Sequence, residues 1–463
     1  MLKKKGQSTL SVWFLVLASL FFYVCAFPEG IIAFALSLVV NYLLALLILK
    51  NRKKIYLIVG VIFNIMLLGI YKYAFMILPV LKDKLSAPGI SFYTFCAIAL
   101  LVECQKGSLG ELSLREYSLL MTFFPKIAEG PITLSDDMLS QKEGRSSLDV
   151  ETVYRSILLF TLGCFKKVII ADTLGSAVDY GFADLFSMHT GEALVIMLSY
   201  TLQLYFDFSG YCDMAMAVAS LFGFDLPLNF DSPYKARNIV DFWKRWHITL
   251  TKFLTRYLYI PLGGNRKGRA RKYLNILIVF FVSGIWHGAG LTFIIWGMMH
   301  GVLYVIYGWI KDRKMERAGD IVKKNGFFEK LKSAACVFLT FIYVNVAWVF
   351  FRAPDMKAAK DFFADIGELW FPRFNYGLAK CFNIEEFWYV IKLLHLDGWN
   401  NSIYILMFVI LALLLLLVFK SPSALEFSSK CRISFFTTAL MTILIVWCML
   451  SFEGVATYLY VNF

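Results

Sequence analysis

The sequence predicts an all-α polytopic membrane protein, and three observations predict it. Of 463 residues, 59% are hydrophobic and only 17% are charged, against about 45–50% and about 25% in a water-soluble domain. Apolar stretches long enough to cross a bilayer recur along the chain, so residues 1–463 read as one membrane-embedded domain rather than a string of soluble ones. Short loops rich in Lys and Arg separate many of these stretches, as multi-pass topology requires. This balance excludes an ordinary soluble enzyme, a disordered tail protein and a fibrous protein.

At the amino terminus, Lys3 to Lys5 followed by an apolar run from Leu10 to Phe27 has the layout of a secretory signal. A second span begins at Ile31 with no small-residue cleavage pattern before it, so a retained first transmembrane helix is expected. Spans are then read at 9–27, 31–49, 55–80, 89–104, 153–171, 191–222, 273–310, 333–351, 403–419 and 433–451. The stretch 273–310 is too long for one crossing and must break at Gly288-Ala289-Gly290. Asp207, Gly210 and Asp213 interrupt 191–222, which reads as two short spans or one span with a re-entrant piece. Residues 117–132, with Pro125, Gly130 and Pro131, are too broken for a plain span. The expectation is about 10–12 crossings plus re-entrant elements.

The positive-inside rule places Lys3 to Lys5, the stretch 50–54, the segment 235–272, the loop 311–332 and the Lys420 to Arg432 loop in the cytoplasm. Parity then demands an even number of crossings between residues 106 and 235. Three candidates stand there, so one of them is re-entrant or doubled. No internal repeat is visible, which argues against an inverted-repeat transporter.

The net charge of +13 would suggest a nucleic-acid partner in a soluble protein. Here most of the excess lies between Lys235 and Lys272, where Asp241 is the single acid, and no nucleic-acid role is inferred. The cysteines lie mainly inside apolar runs, where a thiol behaves as a small hydrophobe. No CxxC pair occurs, and no metal site is expected.

Five histidines are candidates for proton chemistry. His287 lies near the far end of a span beginning at Tyr273, about 20 Å along a helix at about 1.5 Å per residue. A proton-exchanging group at that depth is a functional candidate, with a neutral histidine bonded between helices as the bland alternative. His247, in Phe242-Trp243-Lys244-Arg245-Trp246-His247, reads first as an interfacial histidine in a tryptophan belt. His300 would lie on a different face from His287 if one helix ran unbroken through both, and reads as structural. His189 and His395 are expected to be exposed in loops. The stretch Gly263-Gly264-Asn265-Arg266-Lys267-Gly268 is a tight turn carrying cations. It lacks a Walker pattern, and protease, hydrolase and kinase signatures are absent from the chain.

An ordered set of motifs from Pro88 to Pro354 resembles the membrane-bound O-acyltransferase (MBOAT) family, most closely the bacterial alginate O-acetyltransferase (AlgI-like) branch. The landmarks are Gly89-Ile90-Ser91-Phe92-Tyr93, Phe124-Pro125 with Gly130-Pro131, Phe165-Lys166-Lys167 with Ala171-Asp172, and Leu204 to Tyr211. They continue with Asn229-Phe230, Pro233-Tyr234, Phe242 to His247, Gly263 to Gly268, Ile285 to Gly288 and Trp348 to Arg352. The resemblance implies helices ringed around a thinned centre, where a cytoplasmic donor tunnel meets an extracytoplasmic acceptor funnel. It implies His287 as the catalytic residue and His247 as the second characteristic polar position.

Acyl transfer to a hydroxyl needs a base near the attacking oxygen and donors for the oxyanion. His287 is the expected base, with His247 or backbone N–H groups near Gly288 as donors. The acyl donor is expected to be acetyl-CoA or a carrier-protein thioester, with Lys244, Arg245, Asn265, Arg266 and Lys267 as candidate donor-binding residues. Implied partners are an extracytoplasmic SGNH-type acyltransferase or a polysaccharide export complex, in a bacterial cell membrane. D-alanyl transfer to teichoic acid, and a transporter or non-enzymatic export scaffold, are the competing readings.

Overall fold

The structure is a computed structural model that describes residues 5–78, 80, 86–141, 148–183, 188–317, 326–372, 374–384, 392–393, 395 and 401–452, and the described residues contain helices and no strands. Part of the loop 311–332, and Lys3 and Lys4, lie outside these residues.

Helices α1 (Lys5–Ala26), α2 (Ile31–Asn51) and α3 (Lys54–Ile77) are apolar rods. The chain reverses between α2 and α3 at Arg52, whose φ of 52° ends α2. The Arg52 guanidinium donates to the Cys104 carbonyl at 2.5 Å, so the Lys-rich end of α2 and the end of α4 (Ile90–Lys106) share one face, called here the basic face. At the opposite end, Tyr23 on α1 donates to the Pro88 carbonyl at 3.0 Å, beside the start of α4. Most of α4 is buried, which makes it an inner rod shielded from lipid.

Next come three short helices, α5 (Leu114–Thr122), α6 (Phe124–Ile127) and α7 (Ser135–Leu139). Arg115 on α5 bonds Thr9 near the start of α1. Asp136 and Asp137 on α7 return to the basic face, pairing with Arg256 at 2.6 Å and Lys252 at 2.7 Å. This segment enters and leaves on the same side, and its backbone at depth is surrounded by protein. Of the two options that parity left open, a re-entrant or a doubled segment, this one has the re-entrant form.

The two crossings left before residue 235 are α8–α9 and α10. Helix α8 (Val150–Cys164) runs through a π-helical segment (Phe165–Ala171) into α9 (Asp172–Ala183). Helix α10 (Thr190–Leu221) is one continuous helix of 32 residues, so neither two short spans nor a re-entrant piece exists there. The polar residues that suggested a break are contacts: Lys167 pairs with Asp207 at 2.7 Å and Lys166 with Asp213 at 2.5 Å. A Cβ on Gly210 would stand 2.8 Å from the Gly163 carbonyl oxygen, so the two helices cross where both lack a side chain. The wider π turn narrows the angle between successive residues, and neighbouring Lys166 and Lys167 both reach α10.

A second irregular segment carries α11 (Ile239–Trp243), α12 (Ile248–Leu254) and a π turn (Thr255–Tyr259). It leads into a hairpin of α13 (Gly268–His287) and α14 (Leu291–Arg317), broken at Gly288 to Gly290 as the sequence required. The hairpin closes tightly because a Cβ on Gly284 would meet the Phe293 carbonyl oxygen at 2.6 Å. Then follow α15 (Phe327–Arg352), α16 (Met356–Gly367), α17 (Tyr376–Lys380), α18 (Ser402–Lys420), α19 (Ala424–Lys430) and α20 (Phe435–Leu450).

Among the described residues six helices are long and apolar enough by themselves to cross a membrane: α1, α2, α3, α14, α15 and α18. Inner helices such as α4 and α10 face protein and need less hydropathy to lie at that depth. The architecture is that of an all-α, multi-pass membrane protein.

Candidate active site at the tip of the α13–α14 hairpin

His287 is the last residue of α13 and only 2% exposed. Its Nδ1 lies 2.7 Å from the Ser283 carbonyl oxygen, four residues back along the helix. A carbonyl oxygen can only accept, so Nδ1 carries the hydrogen and Nε2 carries the lone pair, the tautomer a general base requires. Trp286, Trp296 and Phe351 pack edge-on against the ring at 4.4, 4.8 and 5.3 Å between centroids. A Cβ on Gly288 would collide with the Phe293 ring, so this position after the histidine has room only for glycine.

His247 is fully buried and begins α12 with φ 43° and ψ 53°, a left-handed conformation that costs about 1–3 kcal/mol in a non-glycine residue. Asn229 holds it there. The Asn229 Oδ1 accepts from Thr249 N–H at 3.3 Å and Thr249 Oγ1 at 2.8 Å, which fixes it as oxygen, and lies 3.1 Å from His247 Nδ1. The hydrogen of His247 is therefore on Nδ1 also, and a neutral His247 presents an accepting nitrogen on its other side. In this tautomer Nε2 can accept from a hydroxyl and cannot donate to an oxyanion. Both imidazoles pack on the Trp286 indole, His247 at 6.3 Å and His287 at 4.4 Å. The backbone N–H of Gly288 is engaged with the Gly284 carbonyl at 3.3 Å.

Two cavities approach His287. One encloses about 250 Å³ and runs from Lys244, Tyr259 and Lys272 at the basic face to Ser283, one helical turn before the histidine. The other encloses about 40 Å³, is lined by Lys72, the segment Ala87 to Phe92, Trp286 and His287, and lies toward the opposite face. Ser283 thus lines the first and carries the hydrogen bond that orients His287 in the second.

The candidate donor-binding residues separate. Lys244 is exposed and lines the larger cavity. Arg245 turns away into ion pairs with Asp241 at 2.9 Å and Asp231 at 3.4 Å. Asn265, Arg266 and Lys267 stand exposed on the turn before α13, outside the residues lining that cavity. Positive φ at Gly263, Gly264 and Gly268 shapes this turn.

Sequence reasoning did not single out Lys72 or Lys272 as site residues. Lys72 lies in α3, donates to the Trp286 carbonyl and stands 5.1 Å from the Trp286 ring centre, while its neighbour Tyr73 donates to the Ile285 carbonyl. These two side chains satisfy carbonyls at the end of α13, where a cation also suits the helix dipole. The available signal was a lone lysine inside an otherwise apolar span. Lys272, which pairs with Asp312 at 2.7 Å, adds a second cation to the larger cavity.

The other histidines fall elsewhere. The hairpin break makes the unbroken-helix geometry moot for His300: it and His287 both touch Trp296, at 5.2 and 4.8 Å. His300 is fully buried among Trp243, Trp296, Tyr343 and Trp348, and neither ring nitrogen has a hydrogen-bond partner among the described residues. His189 is half-buried rather than exposed, because it caps the start of α10 and packs on Trp370 at 4.3 Å. His395 is exposed.

With this geometry in place, residues 97–313 match the model of MBOAT, the membrane-bound O-acyltransferase family. The chain is 39% identical over 386 residues to a peptidoglycan O-acetyltransferase of Helicobacter pylori, covering 74% of this chain and 71% of that protein. The chain belongs to the membrane-bound O-acyltransferase family. A probable alginate O-acetylase, AlgI, of Pseudomonas aeruginosa is 35% identical over 365 residues, with 74% of this chain and 67% of the relative covered. A teichoic acid D-alanyltransferase of Streptococcus thermophilus is 30% identical over 293 residues, covering 58% and 69%. As a member of this family the chain is an acyltransferase.

Proposed function

We propose that this enzyme takes an acyl group, in preference an acetyl group, from a thioester on the basic, cytoplasmic face and delivers it to a hydroxyl arriving from the opposite face. The end product is an O-acylated, exported cell-surface polysaccharide. The observation that carries this reading is one imidazole standing between two cavities that approach from opposite faces. His287 Nε2 takes the proton of the hydroxyl as its oxygen bonds to the thioester carbonyl carbon. The carbon–sulfur bond then breaks, and the thiolate recovers the proton from His287. Lys72, beside His287, is the cation nearest to a developing oxyanion in the smaller cavity. His247, locked by Asn229, orients the hydroxyl.

Acetyl-CoA suits the larger cavity because Lys244 and Lys272 at its mouth supply charge-assisted contacts for phosphate. The higher identity to relatives named for acetyl transfer than to the one named for D-alanyl transfer favours acetyl as the group carried. D-alanyl transfer from a carrier-protein thioester is the second reading, carried by that same relative. An extracytoplasmic SGNH-type acyltransferase or an export complex completes the route to the polymer.

The test replaces His287 with Ala in cells, confirms equal membrane abundance, and measures ester on the exported polymer. Loss of ester is expected. Unchanged ester at equal abundance removes His287 from the mechanism.

A further inference from the structure

A third cavity lies away from His287 and shares no lining residue with either cavity there. It encloses about 430 Å³, within the range of about 300–1,000 Å³ typical of small-molecule sites. Its walls are apolar side chains of α8 and its π segment, of α10, and of α18 to α20, including Phe165, Phe206, Leu417, Phe427, Leu440 and Leu444. At its rim Leu417 and Leu440 are 41% and 43% exposed. Leu413 and Leu416 on α18 and Ile443 on α20 flank that rim and are exposed as well, so the rim opens on the surface that faces lipid.

One end of this cavity is polar. Ser232, Ser421 and Ser423 line it, and Lys235 donates to the Ser421 carbonyl at 2.5 Å. That end lies just past the last residue of α18, on the basic face, at the level where lipid headgroups begin. The deep wall holds the Lys166–Asp213 ion pair, in which both charges are already matched at 2.5 Å. The acids nearest the polar end are also matched: Glu426 to Lys430 at 2.6 Å and Asp231 to Arg245 at 3.4 Å.

We infer that this cavity is a binding site for one membrane phospholipid of the leaflet on the basic face, with an acyl chain between α18 and α20 and its glycerophosphate end at Ser421, Ser423 and Lys235. Three features point to that occupant. The opening is lateral, so bilayer lipid is the solute that meets it. The lining is mostly apolar, with Tyr205 and the paired Lys166 as its polar members away from the serines, and it carries serine hydroxyls at the interfacial end. The cation there has ammonium hydrogens to spare beyond its bond to Ser421, and phosphate oxygens are natural acceptors for them. A lipid in this position would wedge α18–α20 against the α8–α10 crossing and seal the apolar flank of the buried ion pair.

The experiment uses the full-length protein in nanodiscs of phosphatidylglycerol and phosphatidylethanolamine, followed by native mass spectrometry after gentle delipidation. One phospholipid is expected to stay with the wild type. Leu440→Trp, which fills the mouth, is expected to reduce its retention at least tenfold, while Leu413→Trp, outside the lining, leaves it unchanged. Equal retention in all three proteins, or none in the wild type, overturns the inference. A second measurement needs no variant: a phospholipid with a diazirine-bearing acyl chain is photolysed with the wild type. Crosslinks concentrated in 417–444 relative to α3 support the site, and uniform labelling of the apolar surface contradicts it.

Discussion

The tip and the middle of the α13–α14 hairpin each hold a buried histidine in the same aromatic nest, and of the two only the ring at the tip has both an orienting hydrogen bond and a cavity beside it. His287 and His300 both pack on Trp296, and burial does not distinguish them. At the tip, the Ser283 carbonyl fixes the tautomer and a cavity reaches the ring. In the middle, six aromatic side chains surround His300 and no hydrogen bond orients it among the described residues. Burial alone therefore does not separate the two rings; an orienting bond and an approach path do, and these are what a general base requires.

The sharpest way to break this contrast is to remove each ring. His287→Ala is expected to lower acyl transfer by about 10²–10⁴-fold, the usual worth of a positioned general base. His300→Phe is expected to leave transfer near the wild-type rate and thermal stability unchanged or raised, since it replaces unsatisfied buried nitrogens with apolar atoms of similar shape. Equal losses in both variants, measured in purified enzyme at matched folding, would erase the distinction.

A smaller effect is expected at Asn229. Asn229→Ala leaves His247 Nδ1 and the Thr249 donors without their acceptor, a cost of about 1–3 kcal/mol for a buried donor. Both melting temperature and transfer rate should fall, and unchanged rates would mean that His247 does not orient substrate. Next is Lys72→Met, which removes the ammonium from the His287 cavity and a donor from the Trp286 carbonyl. A loss on the order of tenfold in kcat is expected, at the lower end of the about 1.5–3 kcal/mol for a hydrogen bond to a charged group. A change in KM alone would place Lys72 in binding rather than in stabilising the reaction.

The smallest expected change is at the cavity mouth. Lys244→Ala should raise KM for acetyl-CoA a few-fold, and the gap from the wild type should narrow as salt screens an exposed charge. The paired substitution of Arg266 and Lys267 should change KM less, because those side chains stand outside the cavity lining.

Much of this was legible in the chain. The break at Gly288 to Gly290 follows from span length, and the depth of His287 follows from counting residues along a helix. The re-entrant segment was visible only as a parity defect, and its placement at 114–139 needed the contacts of Arg115 with Thr9 and of Asp136 with Arg256. Helix α10 was misread because Asp207 and Asp213 look like interruptions when their lysines stand some 40 positions away in sequence. Tautomers were out of reach, since the atoms that set them, the Ser283 carbonyl and Asn229 Oδ1, are found only once the backbone is folded. Lys72 could have been singled out by rarity, but not its position against Trp286.

The central claim is that a thioester on one side of the membrane and a hydroxyl on the other meet at His287. Its most direct test is a sided transfer assay in proteoliposomes holding the acceptor inside, with radiolabelled acetyl-CoA added only outside. In the fraction of molecules whose basic face points outward, label is expected to reach the enclosed acceptor with the wild type and not with His287→Ala. Label transferred equally by the variant, or only when donor and acceptor share a compartment, would contradict the account.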